Sequence, residues 1–426
     1  MASNVSRELL FFRSHNRPMR ILLLVNLLYA MALPIIELFV GAYIMRNSKD
    51  ISLVVIFQLA VYTGIPFTFM LNGFLLNHFP ISRLYAFGML LSGVSMSVMM
   101  NIDVLNTSGI FLTGLIMGLS YGFFWANRDF LALNTTKDST RNYYFGIETF
   151  FYTVAAIIIP LCAGLFIKAT VSNGWFGRQV NVAYYVLTAY VFILTISASR
   201  VAQKGDFKNP LKGTFFYWKF DILWKRMLQL ASLKGIAQGY IVTAPVMLIM
   251  KMVGDEGSLG AIQSMSALLS AVMLYFIGRL AKPEHRLLIF TAGLVLFFIG
   301  ACANAVLYSS SGVIFFAMCL VFARPLLDMG YYPLQLRVID VVSKKENRNQ
   351  FSYIFNHEWG LYFGRLIGCG LFIALANRVS EEVALRYALL VIAAVQMLSI
   401  LMARNITKRL KVDDGKAISR QLSADN

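Results

Sequence analysis

Ten ionisable side chains stand inside stretches that are otherwise almost wholly apolar: Glu37, Arg128, Asp129, Glu148, Lys234, Arg324, Asp328, His357, Glu358 and Arg365. At hydrocarbon depth such a group costs about 2.5–3.5 kcal/mol, so it must face water, a partner or a ligand. Glu37 follows Pro34 by three residues and has no basic residue three or four positions away. Proline loosens local helical hydrogen bonding, and a desolvated carboxyl beside it suits proton binding and release. Arg365 has no acid one turn away; Glu358 lies seven residues off, about 10 Å along a helix. Its planar fork suits an anionic group on a ligand. Arg324 and Asp328 are four apart and share a helix face, either as a neutralised pair or as a ligand site. Arg128, Asp129, Glu148, Lys234, His357 and Glu358 fall within about two turns of one end of their apolar runs, where snorkelling is cheap. Interface anchoring, gating or pairing between helices is expected of them.

The elements holding these residues follow from composition. Of 426 residues 58% are hydrophobic and only 14% charged, against roughly 25% charged in a soluble domain. A soluble globular enzyme is excluded, because nothing would cover its surface. The net charge of +17 does not point to nucleic acid, since the basic residues lie between apolar runs. Cys162, Cys302, Cys319 and Cys369 lie within apolar stretches without CxxC spacing. Neither a metal site nor a cofactor is expected.

Twelve runs are long enough for a helix to cross about 30 Å of hydrocarbon. They begin near Ile21, Ile51, Leu84, Ile110, Tyr143, Val182, Met227, Ser258, Leu287, Gly312, Gln350 and Glu382, and the last ends near Met402. The first is too long for a cleaved signal and is read as a retained span. With the N-terminus inside, 27 of the 38 Lys and Arg fall in inside segments and seven outside, with four within spans. That split predicts cytoplasmic termini in an inner or plasma membrane. The longest polar interruption, residues 200–226, divides the spans six and six. The expected organisation is a cytoplasmic N-terminus over 1–20 and a six-helix bundle over 21–198. A linker over 199–226, a second bundle over 227–405 and a cytoplasmic tail over 406–426 follow. Phe215, Phe216, Tyr217, Trp218, Phe220 and Trp224 interleaved with Lys219, Lys225 and Arg226 fit either an interfacial helix or a pre-span aromatic belt.

The halves echo one another. Gly73 and Gly88 flank one loop and Gly278 and Gly293 another, offset by 205; Arg141-Asn142 and Arg348-Asn349 are offset by 207. A duplicated six-helix unit accounts for both. Glycines at four-residue spacing, Gly114/Gly118/Gly122 and Gly360/Gly364/Gly368, predict close helix contacts.

Twelve spans as six plus six with a long central loop resemble the major facilitator superfamily over nearly the whole chain. Its loop signature reads roughly Gly-x-Leu-Ala-Asp-x-x-Gly-Arg. Residues 278–286 keep Gly278, Leu280, Ala281 and Arg286; residues 73–80 keep Gly73 and Leu75, carry Asn77 at the acid and delay the arginine to Arg83. The resemblance implies an all-α membrane protein of two pseudo-symmetric bundles rocking about a central cavity. The expectation is a monomeric secondary active transporter whose partners are the lipid bilayer, a small-molecule substrate and protons.

Direct ATP coupling is unsupported, since no GxxxxGK[ST] loop occurs. Arg365, Arg324 and Asp328 are the expected substrate contacts and Glu37 the proton-coupling carboxyl. The rival reading is a membrane-embedded acyltransferase-like enzyme using His357 beside Asn356. The six-plus-six symmetry argues against it, because acyl transfer needs no duplicated bundle. Embedded arginines point to an anionic or zwitterionic solute, while Glu37 equally suits export of cations.

Overall fold

The computed structural model describes residues 12–48, 50–102, 105–136, 138–174, 180–209, 216–280 and 285–410. Among them are twelve helical spans long and apolar enough to cross a membrane, and no strand. In hydrocarbon a helix satisfies its own backbone, which is why every apolar run takes this form. Parts of the expected N-terminus (1–11), linker (210–215), second loop signature (281–284) and tail (411–426) lie outside the described residues, as does Lys137.

Span one comprises α1 (Arg17–Pro34), a π-helical turn at Ile35–Phe39 and α2 (Val40–Asn47). Spans two to six are α3 (Ser52–Leu75), α4 (Ile81–Met100), α5 (Thr107–Thr135), α6 (Asp138–Ser172) and α7 (Val180–Ala202). Span seven joins α8 (Ile222–Ile241) to α9 (Ala244–Met252). Then come α10 (Glu256–Leu280), α11 (Arg286–Leu307), α12 (Ser310–Glu346), α13 (Gln350–Arg378) and α14 (Glu381–Gln396), which a helix over 398–410 extends.

The chain forms two compact units. One holds Met1–Gly213 with Ile249–Leu268, the other Thr214–Leu248 with Leu269–Asn426. The expected second bundle, 227–405, therefore differs at 249–268, which packs with the first unit. The reason is local. A Cβ at Gly164 of α6 would stand 2.5 Å from the Glu256 carbonyl oxygen, so only paired glycines (Gly164, Gly260) admit α10 so closely.

Inside the units the expected duplication is visible in packing order. Span one packs on five and six, and three on four and six; seven packs on eleven and twelve, and nine on ten and twelve. The glycine rows set the closest approaches. A Cβ at Gly64 of α3 would lie 2.7 Å from Gly118 Cα of α5, and one at Gly364 of α13 would lie 2.8 Å from Gly235 Cα of α8. Each unit has a core at the end of the spans that carries the linker, here termed the linker end. Leu22, Tyr29, Tyr85 and Phe124 centre the first; Trp224, Leu294, Val338 and Tyr353 centre the second.

The linker corrects one expectation. Residues 216–221 form no helix and bend at Trp218. The Arg348 guanidinium lies over the Tyr217 ring at 4.4 Å and donates to the Lys219 carbonyl at 2.5 Å. Lys345 pairs with Asp221 at 2.6 Å, and Asp221 caps α8 by accepting from the Leu223 N–H at 2.7 Å. Lys345 in the last turn of α12 and Arg348 just beyond it thus hold this stretch as a strap, a competitor to local helix that the aromatic-basic pattern does not show.

Candidate functional site

In the first unit four helices converge on Glu148, which is 1% exposed. Its Oε1 accepts from Asn26 of α1 at 2.5 Å, from Tyr144 one turn earlier at 3.0 Å and from Arg128 Nε of α5 at 2.9 Å. Arg128 also donates from a terminal nitrogen to Oε2 and pairs with Asp129 at 2.6 Å. Tyr85 of α4 closes the ring by donating to Asn26 Oδ1 at 2.5 Å, and Tyr144 accepts from Asn26 at 2.8 Å. Each polar atom of Asn26 has a partner, as a buried amide requires. A carboxylate so enclosed has little acceptor capacity left for a ligand; its role is to tie spans one, three, four and five together.

In the second unit the charges lie nearer mid-span. Lys234 stands twelve residues into span seven, about 18 Å along the helix. Counted from Met227, where the apolar run begins, it stands seven residues in, about two turns. Its ammonium pairs with Asp328 of α12 at 3.0 Å and sits over the rings of Tyr331 at 4.1 Å and Tyr332 at 3.9 Å. The Asp328 side chain is 51% exposed and that of Lys234 15%. Arg324 does not take Asp328, as spacing suggested; it donates to the Ile241 carbonyl at 2.7 Å. Lys234 approaches from a facing helix and takes the carboxylate.

Arg365 is placed by backbone contact. A Cβ at Gly239 of α8 would stand 2.7 Å from the Arg365 carbonyl oxygen. That approach brings Gln238 Oε1 within 3.1 Å of Arg365 Nε and 2.9 Å of Nη2. Arg365 also reaches Glu358 at 3.4 Å, across the seven-residue interval expected to keep them apart, and is 8% exposed. Extended side chains leaning toward each other close the gap. Two turns from Arg365 along α13 the buried His357 Nε2 meets the Tyr331 hydroxyl at 2.6 Å, and both Lys234 and Arg365 act on His357 electrostatically.

Glu37 occupies the centre of the π-helical turn that follows Pro34, is exposed, and lies within electrostatic reach of Tyr29 and Tyr121. Single π turns are frequent at functional sites. At the other end of the first unit Glu256, 1% exposed, takes Arg46 in a fork at 2.5 Å and accepts from Tyr184 at 2.9 Å. Neighbouring Lys168 pairs with Asp255 at 3.3 Å.

The loop signature is held by amide rather than acid. Asn209 donates to the carbonyls of Leu76 and Phe79, both at 2.8 Å, and accepts from the Ile81 N–H at 2.8 Å. Gly73 lies near the end of α3 and Arg83 is exposed. Gly278 lies in the last turn of α10, and Arg286 opens α11. Sequence reasoning passed over Asn26, Tyr85, Gln238, Asn209 and Glu256. Two of these carried a signal: Asn26 interrupts an unbroken apolar run, and Gln238 lies one turn after Lys234 on the same face.

A family model described as Major Facilitator Superfamily matches residues 21–369. The chain belongs to the major facilitator superfamily. It is a multi-pass secondary transporter and not an enzyme, which removes the acyltransferase reading of His357. It is 24% identical over 380 residues to the uncharacterized protein YqgE of Bacillus subtilis (strain 168), covering 88% of this chain and 87% of that protein. The fold is similar to that of the nucleoside transporter NupG (TM-score 0.67, 14% identity, 92% of this chain and 100% of that one). It is also similar to the POT family transporter PepTSo (TM-score 0.69, 10% identity, 93% and 98%). Among the described residues no group of His, Cys, Asp and Glu is arranged to hold a metal.

Proposed function

We propose that this member of the superfamily carries a small zwitterionic or anionic solute by alternating access, driven by protons, with its linker end cytoplasmic. The observation that carries the substrate class is the Lys234–Asp328 pair, mid-span and half open, with tyrosine rings beneath the ammonium. A charge exposed at that depth belongs on a water-filled face, not against lipid. A ligand carboxylate would take Lys234 from Asp328, and a ligand amine would take Asp328 in exchange. A zwitterion satisfies both members of the opened pair and leaves no buried charge alone. Arg365, held by Gln238 and Glu358, adds positive field behind this subsite, and Arg324 extends it along α12. Glu37 remains the proposed proton site, because the π turn sets its carboxyl on an exposed face of an otherwise apolar span.

The test is a thermal-shift screen of the purified protein against amino acids, short peptides, organic acids and organic cations. A bound solute raises the midpoint by mass action. Zwitterions or anions should raise it for the wild type and not for Lys234→Ala. A response confined to organic cations would overturn the substrate class.

A further inference from the structure

The Lys234 ammonium stands in a corner built of two ring faces and one carboxylate. Tyr331 and Tyr332 of α12 meet edge to face, their ring planes at 88° and their centroids 5.7 Å apart. The ammonium lies 4.1 Å from the first centroid and 3.9 Å from the second. Asp328 forms the third side at 3.0 Å, and among the described residues it is the one hydrogen-bond acceptor this ammonium has. Tyr331 is a fixed wall, 1% exposed, with its hydroxyl bonded to His357 at 2.6 Å. Tyr332 is 47% exposed and follows Asp328 by four residues, so these two open side chains share one face of α12.

A half-open corner that already holds a cation against aromatic faces describes the cation it would accept. When a solute carboxylate draws Lys234 off Asp328, the acid is left without its counter-charge, and the group that fills the corner must be cationic. A primary ammonium brings three N–H donors to one carboxylate and two ring faces. Donors that give up water without gaining an acceptor are costly. An ammonium whose hydrogens are replaced by methyl groups has no such donors to satisfy, and it is the cation that aromatic cages take best. Lys234 tolerates the same corner because its tether spares it the cost of association. We infer that the solute's cationic end is an N-methylated ammonium, so that the solute is a betaine-like zwitterion seated against Asp328, Tyr331 and Tyr332; this rests on the zwitterion reading above. Tyr332 sets the preference, since it is the exposed wall and Tyr331 is shut in.

The experiment titrates glycine, N-methylglycine, N,N-dimethylglycine and N,N,N-trimethylglycine against the purified full-length protein, taking dissociation constants from the rise in thermal midpoint. Affinity should increase along the series, with trimethylglycine bound about tenfold tighter than glycine, the worth of a desolvated cation–π contact. Tyr332→Leu should flatten the series, and Tyr332→Phe, which keeps the ring face, should preserve it. Glycine bound as tightly as trimethylglycine, or a full gradient in Tyr332→Leu, would overturn the proposal and leave the zwitterion reading standing. Should Tyr332→Leu fail to fold, the wild-type series decides. No response to any of the four would overturn the proposal too; the zwitterion reading falls with it only if the amino acids, peptides and organic acids of the wider screen also fail to bind.

Discussion

Both units use corresponding spans to hold charge within the membrane, one, four and five in the first and seven, ten and eleven in the second, yet the two clusters are built for different ends. Around Glu148 the partners are short and many, and the carboxylate is sealed by Asn26, Tyr144 and Arg128. Around Lys234 the charge has one carboxylate, half exposed, and aromatic faces in place of hydrogen-bond acceptors. Enclosed ions stabilise by mutual satisfaction and punish any deletion; an ion pair left open can exchange partners. A cation–carboxylate pair therefore serves as frame in one unit and, in the proposed function, as the solute subsite in the other.

The sharpest way to break that contrast is to remove one member from each cluster. Arg128→Ala leaves Glu148 buried without its cation, a loss of about 3–5 kcal/mol. That is a large share of a folding stability of about 5–15 kcal/mol. The thermal midpoint in detergent should collapse, or folded protein should not be recovered. An unchanged midpoint would remove the frame role.

Lys234→Ala and Asp328→Asn should instead leave the folded protein recoverable while transport of the screened solute falls about ten- to a hundredfold. That range is the worth of a charge-assisted hydrogen bond of roughly 1.5–3 kcal/mol. Initial rates in proteoliposomes, set beside midpoints for the same variants, measure the separation. If these variants lose stability as Arg128→Ala does and retain uptake, the two clusters are alike and the comparison fails.

A smaller effect concerns the strap, which belongs to the second unit alone. Burial works against the charge on Asp221, but the Lys345 ammonium and the Leu223 N–H outweigh it and hold the carboxyl below its ordinary range. A carboxyl whose folded pKa is depressed contributes stability that is present above its unfolded pKa and lost as pH falls through the folded one. The deficit of Asp221→Asn in thermal midpoint, modest at pH 7, should therefore shrink once pH drops below about 4. A deficit that does not change with pH would mean that capping geometry, not charge, anchors the strap.

Spans, their number and the duplication were readable in the sequence because they depend on hydropathy and period alone. Gly118 and Gly364 were readable too, since spacing fixes a face and small size fixes a close approach. Partners were harder. Spacing placed Arg324 and Asp328 on one face, yet the outcome depended on Lys234 reaching in from a different helix. Arg365 and Glu358 met because both side chains extend along the helix, which a seven-residue interval does not exclude. Asn26 and Gln238 gain their meaning from helix rotation, set by glycine contacts many residues away. The strap over 216–221 escaped notice for the same reason: its fold is decided by Arg348 and Lys345, more than a hundred residues later.

The central claim is that solute movement in this transporter is coupled to protons through Glu37. The direct measurement is the pH inside proteoliposomes, reported by a trapped dye, when the solute found by the thermal-shift screen is added outside. With the wild type, proton movement should accompany the solute; with Glu37→Gln, exchange of labelled for unlabelled solute should persist while the dye signal vanishes. A Glu37→Gln protein that still moves protons with its solute would contradict the account.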